Sequence, residues 1–92
     1  MSYFVYLLLS KQGKNYITYV GYTNNLYKRL KLHNEGKGAK FTRGRVWVII
    51  YKKKFNSKSI AIKEEYKLKK NYSKRKLIKE KYLNENIHTI TI

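Results

Sequence analysis

Phe4-Val-Tyr-Leu-Leu-Leu9 constrains the fold more than any other part of this chain. These residues are all apolar or aromatic and show no alternation. A strand made from them carries apolar side chains on both faces, and both faces must be covered. Such a strand belongs in the middle of a small sheet with other elements above and below. With 92 residues in total, there is room for one core of this kind and no second. The run is also too short to span a bilayer, which needs ~20 apolar residues. It is too short for most signal peptides as well, and no basic segment precedes it. The expectation is an intracellular, cytoplasmic domain, monomeric and without a membrane.

Other elements follow from local pattern. Ser2–Ser10 reads as the first strand, and Lys11-Gln-Gly-Lys-Asn15 as a polar turn in which Gly13 takes positive φ. Tyr16–Tyr22 is β-branched and aromatic, and it pairs back as a hairpin. Thr23 or Asn24 then caps a helix over about residues 25–35. Within it, Leu26, Leu30 and His33 share one face, with Arg29 next to His33 at i, i+4. Gly36 and Gly38 end that helix in a basic loop, Lys37–Arg45. Val46–Tyr51 is the third strand, extending towards Phe55. Asn56 or Ser57 caps a second helix over about residues 58–71, whose stripe is Ala61, Leu68 and Tyr72 with Glu65 in the gap. Ser73 caps a third, very basic helix to about Asn84, with Leu77, Ile78 and Tyr82 as its apolar face. Ile87–Ile92 alternates weakly, as a short strand or a frayed end.

The order ββαβαα implies an α+β fold, an α/β sandwich. A right-handed crossover through the first helix makes the third strand parallel to the second. Placing it beside the first strand gives sheet order 2-1-3 with every neighbouring pair antiparallel, and the helices then cover the faces. The domain is expected over residues 1–84, with residues 85–92 as a C-terminal tail.

Charge identifies the partner class. Lys and Arg total 22 against 5 acids, a formal charge of +17, and none of the acids is Asp. Such a balance favours phosphate neutralisation on nucleic acid. Scarce carboxylates argue against a two-metal cluster, and the absence of Cys excludes thiolate chemistry. Anionic membrane is a weaker partner, because no long helix pairs an apolar face with a basic one. Of the 10 tyrosines, most serve packing, while a few among the cations suit base stacking.

Glu65 is the most informative residue. A carboxylate in an apolar stripe costs several kcal/mol unless it is paired, protonated or bound to metal. Pairing with one of the many cations and holding a hard divalent ion (Mg²⁺ accepts one carboxylate plus water and phosphate) both account for it. Glu64 points roughly 100° away around the helix. Arg29 and His33, beside tyrosine-bearing strands, suit phosphate binding and proton transfer. Tyr19 precedes Val20-Gly21 at a strand end, where glycine allows substrate to approach closely.

Taken in order, Val5-Tyr6, Tyr19-Val-Gly-Tyr-Thr-Asn-Asn25, Tyr27-Lys-Arg-Leu30, His33-Asn-Glu-Gly-Lys-Gly-Ala-Lys40 and Ala61-Ile-Lys-Glu-Glu-Tyr-Lys-Leu-Lys69 resemble the GIY-YIG nuclease family, in particular its small stand-alone bacterial members. The resemblance spans about residues 3–72. It implies a three-stranded antiparallel sheet flanked by helices, and an endonuclease that hydrolyses phosphodiester bonds with one divalent ion, Mg²⁺ or Mn²⁺. Carried onto this chain, Glu65 holds the metal and Arg29 stabilises charge on the phosphate. Tyr19 activates water, Tyr6 positions water or phosphate, and His33 assists. The expected substrate is DNA, single-stranded or branched forms included, with RNA left open. Phosphate contacts are expected from Lys37, Lys40, Arg43 and Arg45 in the loop and from Lys69 and Lys70 on the helix. The rival expectation is a nucleic-acid-binding module that keeps the fold and cuts nothing.

Overall fold

A computed structural model describes residues 2–91. Strands β1 (Tyr3–Gln12) and β2 (Asn15–Thr23) form the expected hairpin, followed by helix α1 (Leu26–Asn34), strand β3 (Val48–Phe55), and helices α2 (Lys58–Lys70) and α3 (Tyr72–Thr91). The sheet order is β2-β1-β3 with both pairings antiparallel. Gln12 pairs with Asn15, leaving a two-residue loop in which Gly13 has φ 60°. Hairpin turns whose twist matches the strands require that left-handed conformation.

β1 is covered on both faces, as its composition demands. Val5 and Leu7 pack with Val20, Ala61 and Leu68, while Tyr6 and Leu8 pack on the other face with Leu26 and Trp47. Full burial of each such leucine is worth roughly 1.5–3 kcal/mol, so this strand anchors both layers. β3 departs from simple pairing: Leu7 lies opposite Tyr51 but Leu8 opposite Ile49, so Ile50 is an extra residue and forms a bulge.

Helix ends differ from expectation by small steps. Asn25, not Thr23 or Asn24, caps α1 by accepting from Lys28 N at 3.2 Å, while Thr23 Oγ1 accepts from Asn25 N at 3.1 Å and shapes the entry. At its other end, Lys37 N donates to Leu32 O and Gly36 N to His33 O, with Gly36 at φ 76°. This is a Schellman closure, so Gly36 alone ends the helix. Ser57 caps α2, its hydroxyl accepting from Ile60 N at 3.3 Å. Asn71, rather than Ser73, caps α3 by accepting from Lys74 N at 3.0 Å. Arg75 donates to Leu68 O and Lys69 O, placing a cation on the carbonyl end of α2.

Three apolar expectations change. Tyr72 opens α3 instead of closing the α2 stripe and is exposed, as is Leu77. Val46 lies outside β3 and is exposed as well. α3 runs past Asn84 to Thr91, so residues 87–91 are helical and add no strand. The expectation for Ile92 falls outside the described residues. No helix among them is long and apolar enough to cross a membrane.

Candidate active site

The β1 register places Tyr6 opposite Gly21 and Leu8 opposite Tyr19. Tyr6 and Tyr19 therefore share the face that α1 covers, and α1 brings His33 beneath both rings. Tyr6 is 2% exposed and His33 is fully buried. The Tyr6 hydroxyl lies 2.8 Å from His33 Nε2, and His33 Nδ1 lies 2.9 Å from Thr42 Oγ1. Thr42 donates its only hydroxyl proton to Ala39 O at 2.8 Å. Its oxygen must then accept from His33 Nδ1–H, which leaves Nε2 as an acceptor. Tyr6 O–H is the donor to it. The chain of hydrogen bonds thus runs one way, Tyr6 to His33 to Thr42 to the Ala39 carbonyl.

Electrostatics agree with that direction. Burial lowers the His33 pKa, as does the Arg29 charge, so the imidazole is neutral at pH 7. Burial also pushes the Tyr6 phenol up to about 12, opposed by the neighbouring Arg29 guanidinium and reinforced by Tyr19 and Glu65. One hydroxyl therefore feels Arg29, Tyr19 and Glu65 together. They come from α1, β2 and α2, so three elements besides β1 act electrostatically on Tyr6.

Two glycines make this packing possible. A Cβ on Gly21 would collide with the Tyr6 hydroxyl and ring, and a Cβ on Gly38 would collide with the His33 ring. Gly21 is thus required by a protein side chain lying over it, rather than by substrate approach. Gly38 belongs to the same cradle and does not end the helix. The single turn of 3₁₀ helix Lys40–Thr42 then delivers Thr42 to the imidazole. Trp47 secures this loop: its indole N–H donates to Thr42 O at 2.9 Å, and its backbone is clamped by the Asn34 side chain.

Glu65 lies in the stripe between Ala61 and Leu68, with its side chain 16% exposed and paired to Lys69 at 3.0 Å. An i, i+4 pair on a helix surface contributes about 0.3–0.5 kcal/mol. That is small against the several kcal/mol cost of covering a carboxylate. Pairing is real but does not by itself account for a carboxylate at this position. Glu64 is more exposed and pairs with Lys67 at 3.5 Å, on another side of α2. Among the described residues, no group of three or more His, Cys, Asp or Glu could hold a metal.

The structure puts Tyr6 and Tyr19 in contact with His33, and the Arg29 and Glu65 charges are felt at the Tyr6 hydroxyl. The expected phosphate contacts are more scattered. Lys37, Lys40 and Arg43 are exposed in the α1–β3 loop. Arg45 is half-buried with its guanidinium over the Phe41 ring at 5.7 Å. Lys69 is occupied by Glu65, and Lys70 sits over the Tyr66 ring. Sequence reading missed Thr42 and Phe41, because a polar loop has no periodicity to place its side chains, and Asn34, a polar residue in the last turn of α1. The one available signal was the lone Trp47 just beyond it, a large residue that needs a partner for its N–H.

Residues 2–82 match the profile of a family described as the GIY-YIG catalytic domain. The UPF0213 protein of Oceanobacillus iheyensis is 47% identical over 79 residues, which is 83% of this chain and 88% of that protein. The UPF0213 protein of Bacillus licheniformis is 45% identical over 85 residues, 91% of this chain and 81% of that protein. The solution NMR structure of a UPF0213 protein from Bacillus halodurans has 38% identity and a TM-score of 0.50, covering 88% of this chain and 86% of its own. Matched through every element that carries the tyrosine–histidine cluster, the chain belongs to the GIY-YIG family.

Proposed function

We propose that this protein is a metal-dependent endonuclease cutting phosphodiester bonds, with DNA as its substrate. The observation that carries the reading is a buried Tyr6 hydroxyl donated to a neutral His33 that also packs on Tyr19, with the Arg29 and Glu65 charges both felt at that hydroxyl. A buried network of this kind is costly unless every member is satisfied. A domain that only binds needs no such assembly. Its +17 charge would be enough.

The donor set suits a hard divalent ion of the Mg²⁺ or Mn²⁺ type, held by the Glu65 carboxylate with water and substrate phosphate. Bound there, the ion would stabilise charge building on the phosphate oxygens. The chain's own residues do the rest. Arg29 neutralises the phosphate. Tyr6 keeps its proton far above neutral pH, so it orients water or phosphate and does not remove a proton. Tyr19, outside the Tyr6–His33 bond, takes the proton from the attacking water. His33 holds Tyr6 in place. Lys37, Lys40, Arg43, Arg45 and Lys70 contact flanking phosphates, at intracellular nucleic acid.

The test is incubation with labelled single-stranded, duplex, flap and branched DNA and with RNA, in Mg²⁺, Mn²⁺ or EDTA. Cleavage of DNA that requires the metal supports the reading. Tight binding with every substrate left intact favours a non-catalytic binding module instead.

A further inference from the structure

Phe41 is a large apolar side chain at 53% exposure in the middle of a basic loop. Single exposed apolar residues are ordinary, but this one is held in a stack. Its ring lies 19° from parallel to Tyr19, with centroids 6.2 Å apart. Trp47 backs both rings, at 6.3 Å from each. Arg45 adds a guanidinium over Phe41, and its Nε–H is buried without a hydrogen-bond partner among the described residues. Trp47 is fully buried and bonded to the loop backbone, so the stack stands on a rigid base. Lys40 and Arg43 are exposed in the same loop, and one member of the cluster is the tyrosine proposed to activate water.

We propose that Phe41, braced by Tyr19 and Trp47 and flanked by Arg45, is a stacking platform for an unpaired nucleobase next to the scissile phosphate. Base–aromatic stacking tolerates any base but needs a free π-face, which a base inside a duplex does not offer. The substrate class is therefore DNA with an unpaired nucleotide at the cut site, as in a single strand or flap, and not continuous duplex. This inference rests on the proposed nuclease site for its location.

The experiment uses the full chain in EDTA, so that binding is read without cleavage. Single-stranded oligonucleotides carry 2-aminopurine at successive positions, and fluorescence quenching and Kd are measured against a duplex of the same sequence. Quenching confined to one or two positions is expected, with tighter binding of the single strand than of the duplex at equal salt. Phe41→Leu should weaken single-strand binding roughly 5- to 150-fold, leave duplex binding within about twofold, and abolish the quenching. Phe41→Trp should retain both. Uniform or absent quenching with the parent protein overturns the proposal even if Phe41→Leu fails to fold. Unchanged single-strand affinity in a folded Phe41→Leu also overturns it. Localised, Phe41-dependent quenching by a protein that cuts nothing in Mg²⁺ contradicts the nuclease reading and leaves the stacking platform standing.

Discussion

Thr42 and His33 decide which way protons point at the centre of the site, because one threonine hydrogen is already spent on a carbonyl. Tyr6 is therefore a donor locked to an acceptor, which is why the proposed mechanism gives proton removal to Tyr19. Tyr19→Phe deletes only an oxygen, so packing on His33 and Phe41 survives while cleavage should fall ~10²–10⁴-fold, the usual worth of general base catalysis. Tyr6→Phe should cost less. Full activity in Tyr19→Phe with loss in Tyr6→Phe would show the base to be the other tyrosine. A second consequence concerns pH. The folded His33 pKa lies below its unfolded value of 6.5. Below that value the unfolded chain binds a proton that the folded chain refuses. His33 therefore adds full stability above pH 6.5 and loses it as pH falls through the depressed folded value. Urea midpoints between pH 7.5 and 5.5 should fall for the parent and stay flatter for His33→Gln. Parallel curves for the two would contradict the neutral, buried imidazole. Of these residues, Tyr6, Tyr19, Arg29 and His33 were legible from spacing and resemblance. Thr42 was not, since its partnership depends on how a glycine-containing loop turns back over nine positions.

Among the elements, β1 was the most legible, because an unbroken apolar run admits one solution, and the order 2-1-3 follows from it. The bulge at Ile50 left no trace in the pattern, since Val48–Tyr51 is apolar throughout and any register looks equally good. The α2 stripe was read correctly at Ala61 and Leu68 but overran at Tyr72. Asn71 caps a new helix there, and the chain changes direction before the next turn completes. The contact between β1 and β2 at Tyr6 and Gly21 gives a direct check on the packing. Gly21→Ala drives a methyl group into the Tyr6 ring and should destabilise the protein by about 1–3 kcal/mol. Much of the clash is with the hydroxyl and the carbon that bears it. The same substitution should therefore cost less in a Tyr6→Phe background, a coupling that a double-mutant cycle in denaturant resolves. Additive costs would mean that the two residues do not meet.

At the scale of the whole molecule, charge and site divide the work. On the proposed reading, the net +17 draws the protein to nucleic acid and the cluster cuts there. If Lys37, Lys40, Arg43, Arg45 and Lys70 each meet a phosphate of a single strand, log Kobs should fall with log salt at a slope of about −3.5. That is roughly 10²-fold between 50 and 200 mM. Binding with little salt dependence would remove the loop from the interface. Sequence preference should be slight, as phosphate contacts carry no base information. Glu65 separates binding from cutting. It touches no expected phosphate contact except Lys69, and replacing it with glutamine keeps shape while removing the charge proposed to hold a metal. The decisive measurement is single-turnover cleavage of single-stranded DNA in Mg²⁺ at saturating protein, for the parent, Glu65→Gln and Glu64→Gln, with Kd measured alongside. The parent and Glu64→Gln should cut at similar rates, while Glu65→Gln should bind about as well as the parent and cut nothing. Equal cleavage by parent and Glu65→Gln, or loss in Glu64→Gln alone, would contradict the assignment of the metal-holding carboxylate.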